Sequence, residues 1–425
     1  MITALVIGVL GVLLVLGVPV AFAMGIAGIT GIFLIGDNIA ITPKIFYQTF
    51  IIYELLAVPL FVLMSQILLV GKVGDHLFSV INRWVQHWPG GLGVSSVLAC
   101  GFFSAVCGSS TATAATVGTT AIPAMLKRDY PKPYAFGMVA GGGTLGILIP
   151  PSIPMILYAA ITSESVGKLF MAGVVPGLML IAMFVVYTII LSYVRGNMPR
   201  VPKAPLSERA ALTLQHSGAI ILPVVVLGGI YAGIFTPTEA AAIGSIYSLL
   251  LCGIVYRSLR ISDIVPILLT TLRITCMLML IIGAAMLMAR VFTTLQIASS
   301  IMSFIEAREI GKWTFLISVN LVWLIMGMFM EVASIMLITL PIVFPVALGL
   351  GIDPIWFAVI MVINMELATI TPPVGLNLFV LMGVMNERDL GMIIRGVMPP
   401  FIIIVLGLVL VMVFPSIATW LPGLL

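Results

Sequence analysis

Two proline pairs interrupt apolar runs that a lipid bilayer would otherwise accept whole. Pro150 and Pro151 stand in ILIPPSIPMIL (147–157), and Pro372 and Pro373 in TITPPVGLNLF (369–379). One proline inside a helix costs about 3 kcal/mol or more, and the bilayer core supplies no water for the carbonyls it frees. A helix broken at such a place offers two kinds of chemistry. The bare carbonyls before the break can coordinate a cation such as sodium. The N-terminus of the half-helix after it carries partial positive charge and can hold a carboxylate. The alternative is a kinked helix whose freed backbone is met by water or by Ser and Thr. Gly141, Gly142, Gly143 and Gly146 crowd before the first break and favour unwinding there.

Other polar residues stand close to the breaks in the pattern. Ser109, Ser110 and Thr111 in CGSST (107–111), followed by Thr113 and Thr116, present hydroxyls that both donate and accept, as a carboxylate or a sodium ion requires. Capping of a hairpin and close packing of small residues would use the same side chains. Glu331 and Glu366 are the acids nearest the expected midplane, where carboxylates are costly and are functional candidates by default. Glu331 can couple an ion or stabilise the helix it opens. Asn377 follows the second break by one helix turn and can bind substrate or backbone, while Asn320 and Asn364 read as bridges between helices. In FTPTEAAA (235–242), Thr238 reads as a helix N-cap with Glu239 in the first turn.

These residues need elements to carry them, and the elements recur. Pro372 lies 222 positions beyond Pro150, and Pro345 lies 222 beyond Pro123. The same offset sets CGSST against FMEVA (329–333). Each unit reads as an amphipathic arm, a hairpin with a polar tip, and a broken helix. The expected organisation is 1–70 as N-terminal scaffold helices; 71–166 as repeat 1, with hairpin 91–126 and broken helix 134–160; and 167–274 as scaffold helices with a cytoplasmic loop. Repeat 2 follows at 275–390, with arm 293–312, hairpin 313–349 and broken helix 355–384, and 391–425 is a C-terminal scaffold helix. If GSST (108–111) is a tip inside the membrane, Lys72, Arg83, Lys127, Arg128, Lys132, Arg195, Arg200, Lys203, Arg209, Arg257 and Arg260 fall on one side. Lys44, Lys168, Arg290, Arg308 and Lys312 fall on the other. The excess marks the first side as cytoplasmic. The repeat is then inverted, with hairpins entering from opposite sides. The N-terminus is cytoplasmic and the C-terminus outside. Broken segments in matching positions of inverted halves point to a substrate site near the midplane.

The composition demands a membrane. Of 425 residues, 61% are hydrophobic and 8% charged, against about 25% charged in a soluble domain, and the mean hydropathy is +1.27. The opening run through Ile35 reads as the first transmembrane helix rather than a cleaved signal, since no basic region precedes it. Cys100, Cys107, Cys252 and Cys276 read as packing thiols. His76, His87 and His216 share no ligand spacing, so no transition metal is expected. No basic stripe suggests nucleic acid. Arg273, Arg290 and Arg395 read as snorkelling side chains at span ends.

GSSTATAATVG, AGGGTLGILIPPSIPMILYA, GGIYAGIFTPTEAAAIG and TPPVGLNLFVL resemble the large membrane subunit of the tripartite ATP-independent periplasmic (TRAP) transporters, over residues 3 to 420. That resemblance implies an all-α polytopic protein: an inverted repeat with two re-entrant hairpins and two broken helices, arranged as an elevator with scaffold and transport domains. It implies a sodium-coupled importer of organic acids in the bacterial inner membrane. Its partners would be a small four-helix membrane subunit, here expected as a separate polypeptide, and a soluble periplasmic binding protein. Carried over, the sodium-binding backbone lies around Ser109, Ser110, Gly146 and Pro150, and around Gly327, Met330, Thr369 and Thr371, with Glu331 as a further candidate. Substrate contacts fall to Ser110, Thr111, Pro151, Thr371, Pro373 and Asn377. The second tip reads MEVAS where the family often has Asp-Thr-Thr. No cofactor beyond Na+ is implied.

A secondary active transporter fits this pattern best. No phosphate-binding loop of the Walker type is present, so ATP is not the direct energy source. A binding-protein-independent carboxylate/sodium symporter of similar fold is the nearest rival, and a passive channel a further one. An intramembrane enzyme would need a general base, and histidine is absent from every core segment; the chain reads as no enzyme.

Overall fold

The apolar runs fold into helices that glycine, proline and short polar residues punctuate. The computed structural model describes residues 2–196, 198 and 201–424, and among these no strand occurs. Arg200, and Met1 and Leu425 at the ends of the first and last expected domains, lie outside the described residues.

The chain begins with α1 (Ile2–Val15) and α2 (Val20–Ile35), then α3 (Ile41–Phe50) and α4 (Ala57–Val70). The amphipathic α5 (Val73–Val85) precedes a helix pair, α6 (Gly91–Cys107) and α7 (Ser110–Leu126). Then come α8 (Lys132–Thr144) and, beyond a break, α9 (Ile153–Thr162). The central stretch holds α10 (Val166–Arg195), α11 (Leu206–Gln215), α12 (Ser217–Tyr231) and α13 (Pro237–Leu250). The 34-residue α14 (Ile261–Thr294) leads to α15 (Ile297–Ala307). A second pair, α16 (Lys312–Gly327) and α17 (Val332–Gly349), precedes α18 (Pro354–Ile370) and α19 (Leu376–Met385) across the other break. The chain closes with α20 (Leu390–Val413) and α21 (Ser416–Thr419). The order of amphipathic helix, helix pair and broken helix thus occurs twice. Six described helices are long and apolar enough to cross a membrane, or seven if α11 and α12, bent by 61° at their junction, form one span.

Three expectations are corrected. The run 3–35 is not one transmembrane helix. Gly17 at φ +78 and Pro19 end α1, and α2 folds back so that Gly31 packs on Val6. The pair also follows α14 for only half its length. Gly28 and Gly31 abut Leu287 and Val291, while the turn at Gly17–Pro19 shares a cavity with Met277 and Ile281. A cytoplasmic N-terminus rested on one full crossing; the hairpin returns both of its ends to the side of Arg290, which pairs with Asp37 at 3.5 Å. Next, α14 runs unbroken through the expected boundary at 274, and the arm expected from 293 begins only after Gln296 at φ +52. Last, the cap of α13 is Thr236, not Thr238. Pro237 takes the first helical position, where its missing N–H costs nothing, so the cap is the residue before it, two positions ahead of the expected one. Thr236 Oγ1 accepts from the Glu239 amide at 3.3 Å, and Glu239 accepts from the Thr236 amide at 2.8 Å.

Glycine sets the closest contacts around the broken helices. A Cβ on Gly137 would lie 1.9 Å from the Gly396 carbonyl oxygen, and one on Gly396 would lie 1.9 Å from that of Pro133, so α8 and α20 touch backbone to backbone. Small residues permit this approach where no hydrophobic force acts between helices in lipid. Asn364 Nδ2 donates to the Asn320 carbonyl and to its Oδ1, both at 2.9 Å, bridging α18 and α16 as expected. Cys100, Cys107 and Cys252 are buried free thiols; Cys276, read as a packing thiol, is exposed on α14.

Candidate functional site

Each helix pair meets its own break. At the first tip, Gly108 at φ +65 turns the chain, and Ser109 caps α7 by accepting from the Ala112 amide at 3.4 Å. A Cβ on Gly108 would stand 2.6 Å from the Pro151 carbonyl oxygen, and one on Gly146 would stand 2.5 Å from that of Ser109. Only glycine lets the tip and the break lie this close. At the second tip, the Val374 amide donates to the Met328 carbonyl at 3.2 Å, and Gly327 packs on Ala368.

The two units also interlock. Asn377 Nδ2, after the second break, donates to Ser110 Oγ at 2.7 Å and to the Ala140 carbonyl at 3.2 Å. Tyr158 of α9 donates to the Pro354 carbonyl at 2.7 Å and meets the ring of Phe344 on α17 edge-on at 5.8 Å. The half-helix beyond each break therefore packs on the other unit.

Between the tips lies a cavity of about 200 Å³. Ser110 and Thr111 at the start of α7, Ile153 and Pro154 of α9, Val332 and Ala333 of α17 and Leu376 of α19 all face it. Four helix N-termini converge there, each bringing unpaired amides and the positive end of its dipole. Ser109, Glu331 and Thr369 add side chains, α14 closes one wall with Met277, and no Lys, Arg or His is among the described lining residues. The arrangement can hold an acid by amides and hydroxyls rather than by a cationic side chain.

The predicted site residues divide around this cavity. Ser109, Ser110, Thr111, Glu331 and Thr369 line it. Asn377 is fully buried behind Ser110. Gly146, Pro150 and Pro151 are buried in the first break and Gly327 is packed on α18, none of them lining the cavity. Met330 faces a second cavity of about 820 Å³, shared with the turn of the α1–α2 hairpin. Thr371, whose hydroxyl donates to the Leu367 carbonyl at 2.6 Å, faces a third of about 250 Å³, and Pro373 is exposed. Glu331 occupies the N-cap position of α17, but its side chain accepts no capping bond. It lines both the central and the second cavity instead. Glu366 is fully buried, and no described group hydrogen-bonds either carboxyl oxygen.

Sequence reasoning missed Ser152. It caps α9 and donates to the Ile147 carbonyl, satisfying one oxygen that the first break frees. A serine two residues before Pro154, which takes the second position of α9, was the available signal. It also missed the α1–α2 turn beside Glu331.

These features define a helical, multi-pass membrane protein whose two broken helices and two helix-pair tips enclose a cavity with one acid and, among the described residues, no cationic side chain in its lining. Comparison with known proteins places it further. Residues 7–417 match the family described as the tripartite ATP-independent periplasmic transporter, DctM component. The chain belongs to that family, and it is a transporter subunit, not an enzyme. It is 44% identical over 402 residues to the C4-dicarboxylate TRAP transporter large permease protein DctM of Pseudomonas aeruginosa, covering 94% of each chain. It is 33% identical to the ectoine TRAP transporter large permease protein TeaC of Halomonas elongata, covering 97% of each. A crystal structure of the YdaH transporter of Alcanivorax borkumensis shares the fold, with a TM-score of 0.63 at 17% identity over 90% of this chain and 88% of that one.

Proposed function

We propose that this chain is the large permease subunit of a sodium-coupled importer of a small carboxylate in a bacterial inner membrane. It acts with a small four-helix membrane subunit and a soluble periplasmic binding protein. The observation that carries this reading is the convergence of four helix N-termini on one cavity between the two tips. Amides aimed at a common point favour a carboxylate, and the bare carbonyls at the ends of α8 and α18 suit sodium. Sodium bound around Ser109, Ser110, Gly146 and Pro150, and around Gly327, Met330, Thr369 and Thr371, fixes the tips before the acid arrives. Glu331 adds negative charge that a cation offsets. Ser110 and Thr111 contact the substrate in the cavity, and Pro151, Thr371, Pro373 and Asn377, which do not line it, shape the breaks behind them. Both helix pairs are re-entrant and enter from opposite faces. The two pairs and broken helices move together as an elevator against the remaining helices. The C4-dicarboxylate named for the 44% relative sets the substrate class to try first.

The test is uptake into liposomes with all three components, using succinate and other C4-dicarboxylates. An inward sodium gradient drives uptake, and potassium alone does not. Equal uptake in potassium removes the coupling, and uptake by this chain alone favours the binding-protein-independent symporter.

A further inference from the structure

Three aromatic rings from three separate segments meet outside the cavity's lining. His76 of α5 stacks on His216, ring centroids 4.4 Å apart and planes 26° from parallel. Tyr256, just beyond α13, lies 4.8 Å from His76 and 5.8 Å from His216. His216 sits at the 61° bend between α11 and α12, is 8% exposed, and its Nδ1 is buried without a hydrogen-bond partner. The Tyr256 hydroxyl accepts from the Ala219 amide at 3.2 Å, which fixes that ring to the start of α12. The stack joins the amphipathic α5 to the α11–α12 corner, beside Trp84 of α5, whose Nε1 donates to Thr213 of α11 at 3.0 Å. Parallel rings turn their nitrogen edges sideways rather than toward a common point, so the pair is not arranged to chelate a metal.

We propose that the His76–His216 stack is an acid-sensitive latch: it holds α5 to the α11–α12 corner while both rings are neutral and releases it when both are protonated. Two neutral imidazoles attract face to face, whereas two like charges at this spacing repel with little water between them. The neighbouring charges do not compensate. On α5, Asp75 accepts a hydrogen bond from Thr120 of α7, and Arg83 pairs with Glu208 of α11 at 2.8 Å. Lys72, at the start of α5, adds positive charge. On α11, Arg209 lies over the Trp84 ring at 5.6 Å. Near Tyr256, Tyr247 donates to the Gly218 carbonyl at 3.0 Å, and Cys252 and Arg257 complete the set. The helices α4, α6, α7 and α12, which also pack on α5, carry no charged side chain. Burial holds both imidazoles below their ordinary range; Asp75 partly opposes this at His76, and His76 adds to it at His216. For a histidine held low in the closed joint, the open joint binds protons first. The latch is therefore intact above the ordinary imidazole value of about 6.5 and is lost as pH falls below it. This inference stands independently of the ion that drives transport.

Spin labels at Ser79→Cys on α5 and Val224→Cys on α12, in a Cys276→Ser background, report the joint in the full chain in lipid nanodiscs. At about pH 8 one narrow distance is expected, giving way to a longer, broader distribution at about pH 5. The His76→Phe/His216→Phe double variant keeps ring packing without titration and holds the narrow distance at both pH values. If that variant is not produced folded, His216→Gln, which leaves one titratable ring, gives the same outcome. A wild-type distribution that does not change with pH, or variants that open as the wild type does, would overturn the proposal.

Discussion

Asn377 and Ser110 stand 267 residues apart in the chain and 2.7 Å apart in the fold. The second proton of the same amide reaches the Ala140 carbonyl, so one side chain ties the first tip, the first broken helix and the second broken helix together. Both Asn377 and Ser110 are buried, with Asn377 fully so. Replacing Asn377 by Ala leaves Ser110 and a backbone carbonyl without this partner, which costs about 1–3 kcal/mol. The variant is expected to melt clearly below the wild type in lipid nanodiscs. If it melts with the wild type while uptake alone falls, the amide serves the substrate and not the joint.

Gly146 gives a sharper probe of the first break. A Cβ there meets the Ser109 carbonyl at 2.5 Å and the Ser110 amide at 2.9 Å, and a backbone cannot swing aside as a side-chain end can. Gly146→Ala should lower stability by about 1–3 kcal/mol, the usual cost of overpacking. On the sodium reading it also abolishes the rise in melting temperature that sodium gives over potassium. Gly25→Ala is the control, since nothing lies within 4 Å of its Cβ position. A Gly146→Ala protein that keeps the full sodium response would remove Ser109 and Ser110 from the ion site.

The cap of α13 separates two threonines. Thr236→Ala removes a capping box and should cost about 1 kcal/mol. Thr238, whose hydroxyl reaches the Tyr53 carbonyl only at 3.5 Å, should tolerate alanine within about 0.5 kcal/mol. Chemical-denaturant melts of the two single variants decide it; equal losses would contradict the cap geometry.

Much of the architecture was legible from punctuation. Gly108 and Ser109 mark a tip because a left-handed residue followed by a capping hydroxyl is a local requirement, and the helices on either side begin and end at 91, 107, 110 and 126. The Pro-Pro pairs mark breaks for the same reason. The α1–α2 hairpin had its signal in LGVPV (16–20), but the unbroken apolar run outweighed one Gly and one Pro. In a chain so apolar, hydropathy does not distinguish a segment that crosses from one that turns back halfway.

The sequence by itself determined that the chain lives in a membrane, where its helices stop, and which two places unwind, because these depend on neighbours a few residues away. Only the tertiary structure decided that Asn377 lies on Ser110, that Glu331 faces cavities instead of capping its helix, and that His76 stacks on His216. In a bilayer protein, buried and lipid-facing surfaces are equally apolar, so periodicity does not say which faces meet. Partners hundreds of residues apart are chosen by packing and by the need of each buried polar atom for a mate.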